Sequence, residues 1–223
     1  MMTIYHVKPD TRHFSTIMPS ERSFDDSNRK ALLKFNGESK KDLWGQQRYC
    51  YVKEPRIPRG DFAGFSIQCL AVRVEAFGKA GLASFFNNYV AELLPLVDEN
   101  DQTEWYAINM MHLVNCIDRE KSELSIAPYR RRLEFFSQRI TQQNVFTPWW
   151  PQSFWRKVLC WERHNDRHSE FKACVEQLGL TGLEFELLWD EERGGRLFMA
   201  ESDPEKGIVI RNQDDKPPDP PNT

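Results

Sequence analysis

Two histidines stand four residues apart in the segment His164-Asn-Asp-Arg-His168. On a helix this spacing would put both rings on one face, where Glu162 or Asp166 could complete a metal site. The segment lacks the glutamate of a zinc-protease helix, and no third ligand is marked by its spacing. Ser169 also predicts a helix that begins just after His168, which favours a solvated loop before it. We therefore predict no bound metal.

The sequence offers no stronger candidate for a nucleophile or an acid–base pair than it does for a metal site. Four of the five cysteines lie among apolar or aromatic neighbours, where a free cysteine behaves as a small hydrophobic residue. The odd cysteine count predicts reduced thiols and a cytoplasmic protein. No Gly-x-Ser-x-Gly elbow occurs, and Asp118, Glu120 and Glu123 are interpreted as the charged end of a strand. We predict no catalytic residue, no cofactor and no enzyme activity, with a small metal-independent hydrolase or transferase as the alternative.

Nucleic acid and membrane are not predicted as partners. Arg130-Arg131-Arg132 resembles a nucleic-acid-binding stripe, but successive residues of a strand point to opposite faces and do not form one patch. The net charge of −3 also disfavours a polyanion, so a nucleic-acid-binding module stays only as an alternative. No apolar run is long enough to span a membrane, and the N-terminus lacks the apolar core of a secretory signal.

Two surfaces are candidates for contact with a protein. The first is an acidic ridge, because the alternation of a final strand turns its glutamates towards solvent. The ridge comprises Glu184, Glu186, Asp190, Glu191 and Glu192. The second is an aromatic loop around two prolines, because tryptophan is over-represented among residues that carry binding energy. The loop comprises Trp149, Trp150 and Trp155.

The elements that would position these residues mix strands and helices without a βαβ rhythm. Strands are predicted at residues 3–7, 48–53, 65–72, 91–97, 105–117, 132–140, 158–161 and 183–189. Helices are predicted near 27–35, loosely from 70 to 86, and from Ser169 to Gly179. Residues 91–97 and 105–117 form a predicted antiparallel hairpin. The sequence therefore predicts a single α+β domain with a mainly antiparallel sheet and a few packing helices.

Composition divides the chain into four predicted segments. Residues 1–60 form an N-terminal elaboration with a strand and a helix, and residues 61–190 form the α+β core. Residues 191–211 form an acidic C-terminal extension. Residues 212–223 are polar and rich in proline, which predicts a disordered tail.

Short motifs in a definite order carry a resemblance to a known family. They are Phe62-Ala-Gly-Phe-Ser66, Glu92-Leu-Leu-Pro-Leu96, Trp105-Tyr106 with Asn109, Asp118 with Ser122, and Gly179-Leu-Thr-Gly-Leu-Glu-Phe185. Over about residues 60–190 this order resembles the eleventh immunity protein family of bacterial polymorphic toxin systems. The segment from Trp149 to Trp161 departs from the family pattern.

The resemblance implies a cytosolic immunity protein of an effector–immunity pair in bacterial competition. Such a protein binds a cognate secreted toxin and blocks it by direct contact, and a homo-oligomer is compatible with this role. No binding residue is carried over, because the shared motifs hold the fold while the toxin-binding surface varies between members. We therefore expect Asn109, Asp118, Ser122, Thr181 and Gly182 to be structural, with Gly182 in a turn conformation open only to glycine or asparagine.

Overall fold

A computed structural model describes residues 1–20, 33–45, 47–52, 57–66, 69–79, 81–97, 102–126, 129–140, 143–149, 157–196, 198–203 and 207–212. The predicted helix near 27–35 and the predicted tail lie mostly outside the described residues. Within the described residues, no helix is both long enough and apolar enough to cross a membrane.

Strands dominate the regular structure. They are β1 (Thr3–Pro9), β2 (Ile17–Pro19), β3 (Gln47–Tyr51), β4 (Phe62–Ser66), β5 (Cys69–Arg73), β6 (Ala91–Val97), β7 (Thr103–Met110), β8 (Leu113–Val114), β9 (Ile117–Ile126), β10 (Tyr129–Phe135), β11 (Val145–Pro148), β12 (Val158–Glu162), β13 (Leu183–Asp190), β14 (Gly194–Gly195), β15 (Phe198–Asp203) and β16 (Gly207–Asn212). The helices are α1 (Lys41–Trp44), α2 (Val74–Phe77), α3 (Leu82–Phe85) and α4 (Phe171–Gln177), with a 3-10 turn at Ser137–Arg139.

The strands form three sheets. The first has the order β14-β13-β1-β12-β11-β8, the second β2-β3-β6-β7-β5-β4, and the third β16-β15-β10-β9. The described pairings are antiparallel except β11 with β8 and β3 with β6, which are parallel. A mostly antiparallel sheet structure with few helices agrees with the prediction. Strands from the predicted 1–60 and 191–211 segments pair with strands of the predicted core.

Residues 65–86 differ from the prediction of one strand followed by one helix. The chain forms the antiparallel hairpin of β4 and β5, and β5 then continues to Arg73 because it pairs with β7. Two helices of a single turn follow, separated by a segment that contains Gly78 and Gly81. Gly81 has a φ of 93°, which breaks a continuous helix at this point. The loose apolar periodicity of this segment therefore reflects two turns rather than one helical face.

The charged residues after Ile117 were predicted to end a strand, but they begin one. The carboxylate of Asp118 accepts the backbone N–H groups of Glu120 and Lys121 at 3.2 and 3.3 Å. These bonds bend the chain locally, and β9 still continues to Ile126 by pairing with β10. The next strand is also shorter than predicted, because β10 ends at Phe135 and a 3-10 turn follows.

Apolar clusters pack the sheets against one another. The largest cluster surrounds Phe171 at the start of α4, whose ring meets four other aromatic rings at centroid distances of 5.3 to 6.2 Å. These rings belong to Phe62, Phe85, Phe86 and Phe185. Because they come from β4, α3, the segment after it and β13, this one side chain joins the first and second sheets.

Two further clusters complete the core. One contains Trp44 and Trp105 and lies against the second sheet. The other contains Met2, Phe146 and Leu133 and joins the first sheet to the third. The first sheet is therefore in direct apolar contact with both of the others.

Backbone contacts also join the first and second sheets at Thr181 and Gly182. Thr181 accepts the N–H of Phe62 at 3.0 Å, and its own N–H and hydroxyl donate to Asp61 at 2.9 Å. Gly182 accepts the N–H of Asp10 at 3.0 Å. Its φ is 93°, and a Cβ there would lie 2.1 Å from the carbonyl oxygen of Phe62. The prediction that Gly182 adopts a conformation suited to glycine is confirmed.

Candidate functional site

The two spaced histidines lie on a loop between β12 and α4, not on a helix. The loop is organised by Glu170, which is fully buried. Its carboxylate accepts the backbone N–H groups of Arg163, His164 and Asp166 at 2.6, 2.8 and 3.0 Å. The exposed rings of His164 and His168 therefore do not share a helical face. In the described part of the chain, no three His, Cys, Asp or Glu side chains are grouped so as to hold a metal ion.

The start of α4 differs from the prediction that Ser169 caps it. Ser169 instead donates its hydroxyl to the carboxylate of Asp166 at 2.7 Å. The first helical N–H, that of Phe171, donates to the side-chain oxygen of Asn144 at 2.6 Å. Asn144, which lies next to β11 and is distant in sequence from α4, therefore takes the place of a local cap.

Four of the five cysteines are poorly placed for nucleophilic chemistry, and only Cys50 is exposed. Cys69, Cys116, Cys160 and Cys174 are buried. Burial raises the pKa of all four thiols, that of Cys116 to about 12. Thiols with a raised pKa stay protonated at neutral pH. They are therefore poor nucleophiles, because the thiolate is the reactive form.

Asp118 and Ser122 have the structural roles that the sequence predicts. The Ser122 hydroxyl donates to the carbonyl oxygen of Asp118 at 2.6 Å and accepts the N–H of Glu134 at 2.9 Å. The carboxylate of Glu134 in turn accepts the Trp189 indole N–H and the Gly195 N–H, both at 3.0 Å. These contacts connect β9 and β10 of the third sheet to β13 and β14 of the first.

Asn109 is part of a buried polar group that the sequence did not reveal. Its side-chain nitrogen donates to Glu92 and to the carbonyl oxygen of Glu38, both at 2.9 Å. Glu92 also accepts the Ser39 hydroxyl and the Lys40 N–H. Burial raises the pKa of Glu92, but these hydrogen bonds outweigh it and lower the pKa below its ordinary value of 4.5. The group fastens the segment before α1 onto β6 and β7.

A second polar group surrounds Glu104 on the second sheet. Its carboxylate accepts hydrogen bonds from the hydroxyls of Tyr49 and Tyr51. It also lies 3.7 Å from the guanidinium groups of Arg59 and Arg73. Burial and the bond to Glu104 raise the pKa of Tyr49. Both cations and both phenols contact one carboxylate, so the group cross-links β3, β5 and β7.

The predicted acidic ridge is partly neutralised where it lies on β13. Glu184 forms an ion pair with Lys8 at 3.0 Å, and Glu186 contacts the His6 ring at 3.1 Å. Both partners belong to the neighbouring strand β1. The alternation of β13 does place these glutamates together on one side of the sheet, but basic groups accompany them.

The remaining ridge residues lie at the turn after β13. Asp190 is buried and accepts the N–H groups of Glu192 and Arg193 at 3.1 and 2.7 Å, so it shapes the turn. Glu191 is exposed and accepts the N–H of Met2 at 2.9 Å. Glu192 is exposed on the same turn.

Trp149 lies at the rim of an open cleft, and Trp150 and Trp155 lie outside the described residues. Trp149 is 45% exposed. Its backbone N–H donates to the carbonyl oxygen of Val114 at 2.7 Å. The preceding residues Thr147 and Pro148 pair in parallel with β8. Ordered backbone therefore holds this large aromatic side chain at the surface.

The Trp149 cleft has a volume of about 530 Å³. It is lined by Asn115, Ile117, Asp118, Arg119, Glu120, Lys121, Phe136, Arg139 and Trp149. Two guanidinium groups lie on aromatic rings within it. The Cζ of Arg119 is 5.1 Å from the Trp149 ring centre, and that of Arg139 is 4.3 Å from the Phe136 ring centre. The arrangement suits recognition of an anionic or planar group rather than bond cleavage.

A second cleft of about 360 Å³ adjoins the first, with Asn115 and Arg139 lining both. Its other side chains include His112, Gln138 and Gln143. Burial lowers the pKa of His112, which keeps the ring neutral at pH 7. The two clefts together form a continuous surface of polar and aromatic side chains.

Residue type in the sequence pointed to Trp149 but not to the side chains around it. Arg119 stood in a charged run that was interpreted as a strand end, and Arg139 in a predicted strand. Nothing local links either residue to Trp149, because the contact depends on the parallel pairing of β8 with β11. No protein-family model matches the chain, and no curated protein matches it either.

Proposed function

We propose that this protein is a cytoplasmic immunity protein, built as a single α+β domain, that neutralises a cognate secreted toxin by direct blockade. The observation that carries the proposal is the exposed Trp149, paired with Arg119 at the rim of an open cleft. Tryptophan and arginine are among the residue types that most often dominate binding energy in protein interfaces. A tryptophan held by ordered backbone also loses little freedom on binding.

The landmark residues of the resemblance support the same proposal. Asn109, Asp118, Ser122, Thr181 and Gly182 all contact backbone groups or fix a turn. Such roles are expected if the shared motifs of the family hold the fold and leave the binding surface free to vary. Glu191 and Glu192 stay as a second candidate contact, because their turn is exposed.

The test is co-expression with the product of the adjacent gene. We expect a stoichiometric complex on gel filtration and protection of cells that express the toxin domain. Trp149→Ala should weaken both, while Arg12→Glu, a change at an exposed arginine in the turn after β1, should leave both intact.

Two other results would replace the proposal. Turnover of a substrate that is lost in His164→Ala would favour the hydrolase or transferase alternative. Binding of labelled DNA or RNA that falls steeply with salt would favour the nucleic-acid-binding module.

A further inference from the structure

The cationic groups of the Trp149 cleft are held in place before any partner arrives. Arg119 lies on Trp149 and Arg139 lies on Phe136, and Arg139 also donates to the Asn115 carbonyl oxygen at 3.2 Å. Stacking restricts the long arginine side chains, so less freedom is lost when they bind a ligand. A planar guanidinium group also matches a carboxylate with two parallel hydrogen bonds.

The carboxylates of the cleft do not cancel this positive charge. The lining contains Arg119, Lys121 and Arg139 against Asp118 and Glu120, three cations and two anions, which leaves a net +1. Asp118 is already engaged by two backbone N–H groups and by Lys121, whose Nζ lies 3.5 Å away. Glu120 is therefore the one exposed anion that accompanies two arginines within this lining.

This charge pattern favours a single carboxylate over a polyphosphate chain. A nucleic acid presents a phosphate at every nucleotide and needs a continuous basic track. Here Asp118 and Glu120 interrupt the cations, and the whole chain carries a net charge of −3. A repeating polyanion would meet repulsion beside each favourable contact, whereas one carboxylate would not.

The adjoining cleft favours a peptide as the carrier of that carboxylate. Asn115, Gln138 and Gln143 bring three carboxamide side chains to its lining. A carboxamide both donates and accepts hydrogen bonds, as a peptide group does, whereas a phosphate ester only accepts. The two clefts thus provide sites for an acidic side chain, an apolar neighbour and backbone amides.

We infer that the Trp149 cleft recognises an acidic segment of a protein partner, with an Asp or Glu carboxylate on Arg119 and Arg139 and an apolar side chain on Trp149. The inference rests on the proposed function, because the partner it describes is the toxin. The toxin would then present an acidic segment to this surface, and electrostatic attraction would speed the encounter.

The test measures toxin-domain binding by full-length variants at two salt concentrations. Trp149→Ala and Arg119→Glu should each weaken the complex about tenfold or more, as for residues at the centre of an interface. Arg12→Glu is the matched control for charge reversal, because it makes the same change at an exposed arginine outside the cleft lining. Circular dichroism melts check that each variant stays folded.

Two soluble competitors identify the chemistry of the partner. A short capped peptide that carries one glutamate beside a leucine should compete with the toxin domain for the wild-type protein, and oligo(dT) should not. Stronger competition by oligo(dT), lost in Arg119→Glu, would overturn the inference in favour of nucleic acid. Equal toxin affinity for all folded variants would overturn it while leaving the proposed function intact.

Absence of a toxin complex would count against the proposed function alone. Binding to the same single-glutamate peptide, immobilised, then decides the inference by itself. Binding that is lost in Arg119→Glu and kept in Arg12→Glu would support the acidic-segment site, and equal binding by both variants would overturn it.

Discussion

Gly182 offers the sharpest test of how the landmark residues act. A Cβ at this position would lie 2.1 Å from the Phe62 carbonyl oxygen, far inside van der Waals contact. The residue also has a φ of 93°, and positive φ costs a non-glycine residue about 1–2 kcal/mol. We expect Gly182→Ala to combine this strain with displacement of the neighbouring strand.

The size of the effect follows from the contacts that must move. The Phe62 N–H bond to Thr181 and the Asp10 N–H bond to Gly182 are both 3.0 Å long. Each such bond contributes about 0.5–1.5 kcal/mol. With the backbone strain, the expected loss in free energy of unfolding is about 2–5 kcal/mol. For a protein of this size, each kcal/mol lowers Tm by about 2–4 °C.

Gly179→Ala is the matched control. Gly179 also has a positive φ, of 64°, but no neighbouring atom lies within 4 Å of the place that an added Cβ would occupy. This variant should lose only the strain, about 1–2 kcal/mol of unfolding free energy. Urea denaturation of both variants measures the difference, and equal losses would refute the steric argument. A Gly182→Ala variant with unchanged stability but lost toxin binding would show that the residue belongs to the interface.

Two further predictions concern buried carboxylates. The hydrogen bonds that lower the pKa of Glu92 stabilise the fold fully above its ordinary pKa of 4.5, and this contribution is lost as the pH falls below that value. Denaturation midpoints of Glu92→Gln should therefore fall less steeply with acid than those of the wild type. Glu170→Gln should lower the free energy of unfolding by about 1–3 kcal/mol. Both carboxylate oxygens of Glu170 accept backbone N–H groups, and in the variant an amide nitrogen would replace one of these oxygens. Hydrogen exchange should then quicken at His164 and Asp166, and unchanged exchange would count against this role.

Local sequence patterns were sufficient to predict the elements in which strand pairing and packing agree with local propensity. Alternation predicted β13, and the hairpin of β6 and β7 follows from two apolar runs on either side of a short acidic segment. The helix that ends before Gly179 was also correct, since a φ of 64° at that residue ends α4 as predicted. In these elements, local propensity and tertiary packing point to the same structure.

The errors fall where distant residues decide the structure. A run of charges predicted a strand end, yet β9 persists because β10 pairs with it and Asp118 bends the chain instead of stopping it. The acidic extension carries no strong strand pattern, yet β15 pairs with β10 and β16. Asn144 caps α4 from beside another strand, which no local pattern around Ser169 could indicate.

The candidate site was also predictable only in part. Trp149 was a candidate from residue type alone, because tryptophan is over-represented among residues that carry binding energy. The guanidinium groups beside it could not be predicted, because Arg119 lies thirty positions earlier in the chain than Trp149. They meet only through the parallel pairing of two short strands.

The fold and the proposed binding surface meet in β9. Asp118 bends the strand beside Arg119, and Ser122 fastens it to β10, so these two landmarks also place a cation of the cleft. A substitution at either position would disturb stability and binding together, and its effect could not be divided between them. Trp149 and Arg119 contribute their side chains to the cleft, whereas Gly182 contributes backbone to the sheet junction. Loss of binding in the first two variants with loss of stability in the third would therefore separate recognition from folding.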